Sequence, residues 1–400
     1  MEGRIRDKAL AALFMAALAG FCLWGLLAPD KAESATENRR LAQAPALSAR
    51  ALFSGRFMED FESYASEQFP LRDAWTGLAD VAGFAAGKGD NGRAYYGKEG
   101  RLFQMDSFDF RQLDRNIGHI NAFFGEMSEK YPKVRLAALA APSAWNVEGA
   151  LLPDFAPVPD ERAALERMRD GLAGGVVFID PSESLAGAAA EGEEAYFRTD
   201  HHWTADGAYL AYRDWSEAMG RRAREKESFE RAVASESFLG STDSKARLPW
   251  TRPDRVAAYF DEAQTGAEVT VESGAPGKPG APLGDGLRQE GRVYGLYDYG
   301  RLSGKDKYAF FLGGNYPVAR VRTGAANGRT LLVLKDSFAN CFAPFLCGDF
   351  EEVILVDLRY YNGGLERFFE EDGVDEALAL YGAERLVNER NFYRMRMGAG

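Results

Sequence analysis

The chain has 400 residues, enough for one large domain or two medium ones with a substantial core. Its 60 Asp and Glu against 48 Lys and Arg leave a net charge of -12, which argues against nucleic-acid phosphates as the main partner. An acidic balance of this size otherwise describes a solvated surface and names no partner.

Arg4, Arg6 and Lys8 precede an uncharged run from Ala9 to Ala28, 20 residues long and sufficient to span a hydrocarbon core. The pattern reads as a cytoplasmic tail over 1–8 and a transmembrane signal anchor over 9–28, with the remainder outside the cell by its basic flank. A cleaved signal peptide is the rival reading. The run is long for such a segment, and Ala32-Glu33-Ser34 is a weak cleavage site. Residues 29–87 read as a polar juxtamembrane linker followed by a helical segment. Phe57, Phe61 and Tyr64 recur at helical spacing, and Pro70 interrupts the pattern.

Residues 88–400 read as one α/β domain. Strands are expected at Val134–Ala140, Val176–Ile179, Leu331–Leu334 and Val353–Val356, with a fifth at Arg385–Asn388. Helices are expected over 159–173 and 204–219. Short apolar strands separated by helices imply a mostly parallel sheet of about five strands, covered on both faces. The Gly- and Pro-rich stretch 264–290 reads as a surface excursion. Cys341 and Cys347, six apart in an expected helix, would hold their Cα atoms about 9 Å apart, beyond disulfide reach.

Chemistry concentrates in two places. Only three histidines occur, His119, His201 and His202, and two of them stand in Thr199-Asp200-His201-His202-Trp203. Lys335-Asp336-Ser337-Phe338 follows the apolar run Thr330–Leu334. An Asp-x-His pair and a Ser at a strand end are the parts of a Ser-His-Asp centre. Residues two apart in extended chain face one way, so Asp200 can hold His202 Nδ1–H while His201 points elsewhere. Ser337 would start a helix whose N–H groups face the site, its own amide among the oxyanion donors. Asp336 or Ser337 as a plain helix cap is the bland alternative. Asn315 and Asn340 could complete the oxyanion hole, or serve as turn and cap residues. Trp203, Arg359 and Tyr360 are candidate substrate contacts, against the commoner role of a core aromatic. Lys335 reads as a solvated cation or a group steering an anionic substrate. Adjacent histidines diverge in extended chain, so no metal site is expected, and nothing calls for a cofactor. His119 lies in a helical stretch and reads as structural.

The tetrad Asp200-His201-His202-Trp203 resembles the motif that names the DHHW family. Glu37-Asn38-Arg39, Phe69-Pro70-Leu71-Arg72, Lys305–Tyr308, Phe311–Asn315, Lys335–Ser337 and Asp357–Tyr361 extend the resemblance over roughly 37–361. That family is similar to the SGNH-hydrolase-like proteins of extracytoplasmic alginate O-acetylation. The resemblance implies a triad of Ser337, His202 and Asp200 and an O-acyltransferase acting on a cell-surface polysaccharide. It also implies a multispanning membrane O-acyltransferase as acyl donor. A carbohydrate esterase with the same triad and an inactive envelope scaffold remain the alternatives.

Overall fold

The computed structural model describes residues 2–34, 39–272 and 293–396. Two compact units separate, one over 1–91 with 247–249, the other over 92–246 with 250–400. In the first unit, helix α1 spans Glu2–Leu27. Its segment Arg6–Gly25 is long and apolar enough to cross a membrane, and none of it is buried. Helices α2 (Ala49–Phe53), α3 (Arg56–Glu67) and α4 (Arg72–Ala85) follow. The break between α3 and α4 falls at Pro70, where the helical period fails in the sequence. Glu37-Asn38 lies outside the described residues.

The second unit is built on one sheet. Its strands are β1 (Arg135–Ala141), β2 (Val176–Ile179), β3 (Glu268–Glu272), β4 (Val293–Tyr294), β5 (Val318–Arg322), β6 (Thr330–Lys335), β7 (Glu352–Val356) and β8 (Glu376–Gly382). The spatial order is 4-3-5-7-6-8-1-2. Strands 7-6-8-1-2 run parallel, and β5, β3 and β4 add antiparallel at one edge. The sheet is thus wider than the expected five strands, with seven of four or more residues and the two-residue β4. Alternate side chains of β6 enter different cores. Leu331 and Val333 pack with the helices over 205–218 and 338–342, while Leu332 and Leu334 pack with those over 110–130 and 161–171. Burial on both faces explains why the parallel strands read as continuous apolar runs. The fold is SGNH-like, an α/β sandwich with a mostly parallel sheet.

Three expectations need correction. Arg385–Asn388 is not a strand, since Ala383–Asn388 forms a helix and the fifth parallel strand is β8, just upstream. Ala and Leu dominate β8, and both are good helix formers. Its pairing on both sides, with β6 and β1, overrides that preference. The excursion begins later than 264, because Glu268–Glu272 is β3, while 273–290 lies outside the described residues. The helix after Ser337 ends at Phe342 and tightens into a 3-10 turn over Ala343–Gly348, with Pro344 at the start of that turn where its missing N–H is tolerated. Cys341 and Cys347 are both buried free thiols.

Candidate active site

Parallel α/β sheets bind ligands beyond the carboxyl ends of their strands. Here the ends of β1, β6 and β8, and the turn after β7, line a cavity of about 360 Å³. Ser143, Ser337, Arg359 and Arg385 come from those ends, joined by His201, Ser241, Lys245 and Asp106 from the loops. Asp336 fixes the turn that carries Ser337. One carboxylate oxygen accepts from the Phe338 amide at 2.9 Å and the other from the Gly382 amide at 2.8 Å. Ser337 itself makes no side-chain cap and is free to face the cavity.

The loop before the helix over Ala205–Ala218 carries the second half. Thr204 caps that helix, accepting from the Gly207 amide at 3.2 Å. Upstream, Asp254 anchors the loop by accepting from the Thr199 amide at 2.8 Å and the Thr199 hydroxyl at 2.6 Å. The Asp200 side chain then turns onto two partners. One oxygen accepts from His202 Nδ1–H at 2.5 Å, the other from the Ser241 amide at 2.7 Å. A carboxylate only accepts, so the proton lies on His202 Nδ1 and Nε2 presents a lone pair. Ser337 Oγ lies 2.7 Å from that Nε2, across 135 residues of chain. Burial would raise the Asp200 carboxyl, but the two imidazoles and the Ser241 amide outweigh it and hold it well below the usual carboxylate range. Gly240 keeps this approach open, because a Cβ there would stand 2.3 Å from Asp200 Cβ.

Two aromatic residues tie the halves together. Tyr308 stacks on the His202 ring at 3.8 Å and 6° between planes, and its hydroxyl donates to the Ser337 carbonyl at 3.0 Å. Trp203 is fully buried and donates from Nε1 to the Phe338 carbonyl at 3.0 Å. Trp203 therefore braces the site from behind and lines no part of the cavity, contrary to its expected substrate contact. Arg359 does line the cavity, held by a double contact to Asp357, whereas Tyr360 is not among the lining residues.

Asn315 and Asn340 are also placed elsewhere. Their amide oxygens accept from Lys335 Nζ at 2.8 and 2.5 Å. Lys335 is fully buried rather than solvated, and burial pushes its amine down to about 8. The two asparagines satisfy a buried cation, which is a stronger demand than an oxyanion hole would make of them. His201 does not point away from His202. The rings lie 3.8 Å apart, and His201 Nδ1 lies 2.8 Å from Ser241 Oγ. Ligand atoms of Asp200, His201 and His202 fall within 4.8 Å of one another, so an ion could be held there. Both His202 nitrogens and both Asp200 oxygens already have protein partners, and coordination would break the 2.5 and 2.7 Å contacts.

Sequence reasoning missed Tyr308, Gly240-Ser241, Asp254, Asp106, Lys245 and Arg385. A Gly-Ser pair closing an extended stretch and a Tyr inside a motif-bearing segment are the only signals they carry.

Ser337, His202 and Asp200 thus meet beyond the carboxyl ends of the parallel strands of an SGNH-like α/β fold. Residues 97–274 match the family model of the SGNH hydrolase-like domain of acetyltransferase AlgX. That span holds Asp200 and His202 and stops short of Ser337. Among solved structures, a DHHW family protein from Eubacterium siraeum DSM 15702 superposes with a TM-score of 0.59 at 20% identity, covering 76% of this chain and 98% of that one. Bacillus cereus PatB1 gives 0.61 at 20%, covering 74% and 98%. PatB1 with a sulfonyl adduct gives 0.58 at 19%, covering 74% and 98%. At these identities the likeness is one of fold. No curated protein sequence matches the chain.

Proposed function

We propose that this protein is an extracytoplasmic O-acyltransferase that acetylates a cell-surface polysaccharide through an acyl-enzyme on Ser337. The contact of His202 Nε2 with Ser337 Oγ at 2.7 Å, backed by Asp200 at 2.5 Å, carries the reading. His202 takes the hydroxyl proton as Ser337 attacks the acyl carbonyl, and returns it to the donor's leaving group as the donor–acyl bond breaks, while Asp200 holds the imidazole and stabilises its charged form. The sugar hydroxyl that arrives next is deprotonated by the same nitrogen. α1 anchors the domain to the membrane in this reading, so a multispanning membrane O-acyltransferase would supply the acyl group from inside.

The test is Ser337→Ala in the native host. Polymer acetyl content should fall to background with the protein level unchanged. Unchanged content sinks the proposal, and a rise makes the protein an esterase with the same triad. A sulfonyl fluoride should label purified wild type and fail on Ser337→Ala and His202→Ala. PatB1's sulfonyl adduct makes this a reasonable reagent class. Absence of labelling would favour an inactive scaffold.

A further inference from the structure

We propose that His201 binds the acyl acceptor, accepting a hydrogen bond through Nε2 from a hydroxyl next to the one that reacts, so that the site selects vicinal diols such as sugar rings. This rests on the transferase reading. His201 stands beside the triad histidine, its ring 3.8 Å from His202, and its side chain is 30% exposed on the cavity wall that also holds Ser337. Its Nδ1 faces Ser241 Oγ at 2.8 Å and the Asp200 carboxylate at 3.6 Å. A proton on Nδ1 gains from both, donating to Ser241 Oγ under the field of Asp200, and this leaves a lone pair on Nε2. Nε2 has no hydrogen-bond partner among the described residues. Burial, with His202 alongside, pushes the imidazole down to about 3, so it stays a neutral acceptor at working pH.

Two neighbouring imidazoles, each presenting Nε2, match two neighbouring hydroxyls. In the transfer step one hydroxyl oxygen bonds to the acetyl carbon. Its proton passes to His202 Nε2 and then to Ser337 Oγ as the ester bond to serine breaks. The second hydroxyl, unreacted, donates to His201. Water lacks that second group, so His201 favours transfer over hydrolysis. A monohydric alcohol lacks it as well.

The experiment uses purified full-length protein in detergent, p-nitrophenyl acetate as donor, and trans-cyclohexane-1,2-diol or cyclohexanol as acceptor. The ester formed is measured per acyl-enzyme. Wild type should prefer the diol by about tenfold, the value of one hydrogen bond. His201→Ala should abolish that preference, and Ser241→Ala, which keeps the amide to Asp200, should reduce it. A preference surviving in His201→Ala, or missing in wild type, overturns the inference. So does failure of His201→Ala to form any acyl-enzyme, which would make it a support of the triad. Should wild type form no acyl-enzyme on Ser337, the transferase reading itself fails.

Discussion

Asp200 contributes to the site through orientation more than through proton transfer. Its oxygens meet an imidazole and two backbone amides, those of His202 and Ser241, so the group is satisfied only when ionised. Asp200→Asn would keep the shape and offer an N–H or a carbonyl where a full charge now stands. The histidine could then settle in the wrong tautomer, with Nε2 protonated toward Ser337. We expect esterase turnover of p-nitrophenyl acetate to drop by about 10³–10⁴ with little change in melting temperature, by analogy with other triads. A loss below about tenfold would show that His202 keeps its tautomer without Asp200. The residues of this chain of contacts were legible because the sequence has only three histidines and one Asp-x-His pair. The oxyanion assignment failed because asparagines near a strand end look alike whether they face a ligand or a buried lysine. Only the position of Lys335 Nζ separates the two cases.

At the level of elements, the Asp-His loop is held by parts far from it in sequence. The hairpin of Glu230–Phe238 with Asp254–Phe260 supplies Asp254, and its connection supplies Gly240 and Ser241. Gly240→Ala should therefore act on catalysis through crowding. Its Cβ would lie 2.3 Å from Asp200 Cβ and 2.5 Å from an Asp200 oxygen, so the carboxylate side chain would have to shift. We expect labelling of Ser337 by a sulfonyl fluoride to slow by at least about tenfold, with circular dichroism unchanged, since a shift of a fraction of an ångström spoils an aligned proton path. Wild-type labelling in this variant would remove the hairpin from the site. The elements carrying the triad were readable from sequence, since β6 is a clean apolar run and the helix over 205–218 is amphipathic behind its Thr204 cap. The hairpin was not, because its outer strand is polar and mostly exposed and carries two register shifts. Strand β5 escaped for a similar reason. Arg320 interrupts its apolar pattern and is neutralised only in the fold, by Glu272, Glu352 and Asp372.

Across the whole molecule, the cavity wall rests on buried carboxylates whose ionisation the fold opposes. Glu161 is nearly inaccessible, and its two oxygens accept from the Ser143 amide at 2.9 and 3.2 Å, at the end of β1. Burial raises its carboxyl from 4.5 to about 7, against the pull of those hydrogen bonds. Glu148, paired with buried Arg101, is likewise raised by burial to about 7. A folded value above the unfolded one means the native state holds the proton more tightly. The stabilisation is complete below about 4.5 and is lost as pH rises to 7. For Glu161 the rise from 4.5 to about 7 corresponds to at most about 3 kcal/mol. Glu161→Gln keeps an acceptor for Ser143 and cannot ionise. Its melting temperature should match wild type near pH 5 and exceed it near pH 8, the two curves separating between. Equal differences at both pH values would mean that Glu161 is already ionised in the folded protein. The Ser143 amide would then be bonded to a charge, and the β1 end of the cavity would carry that charge at neutral pH.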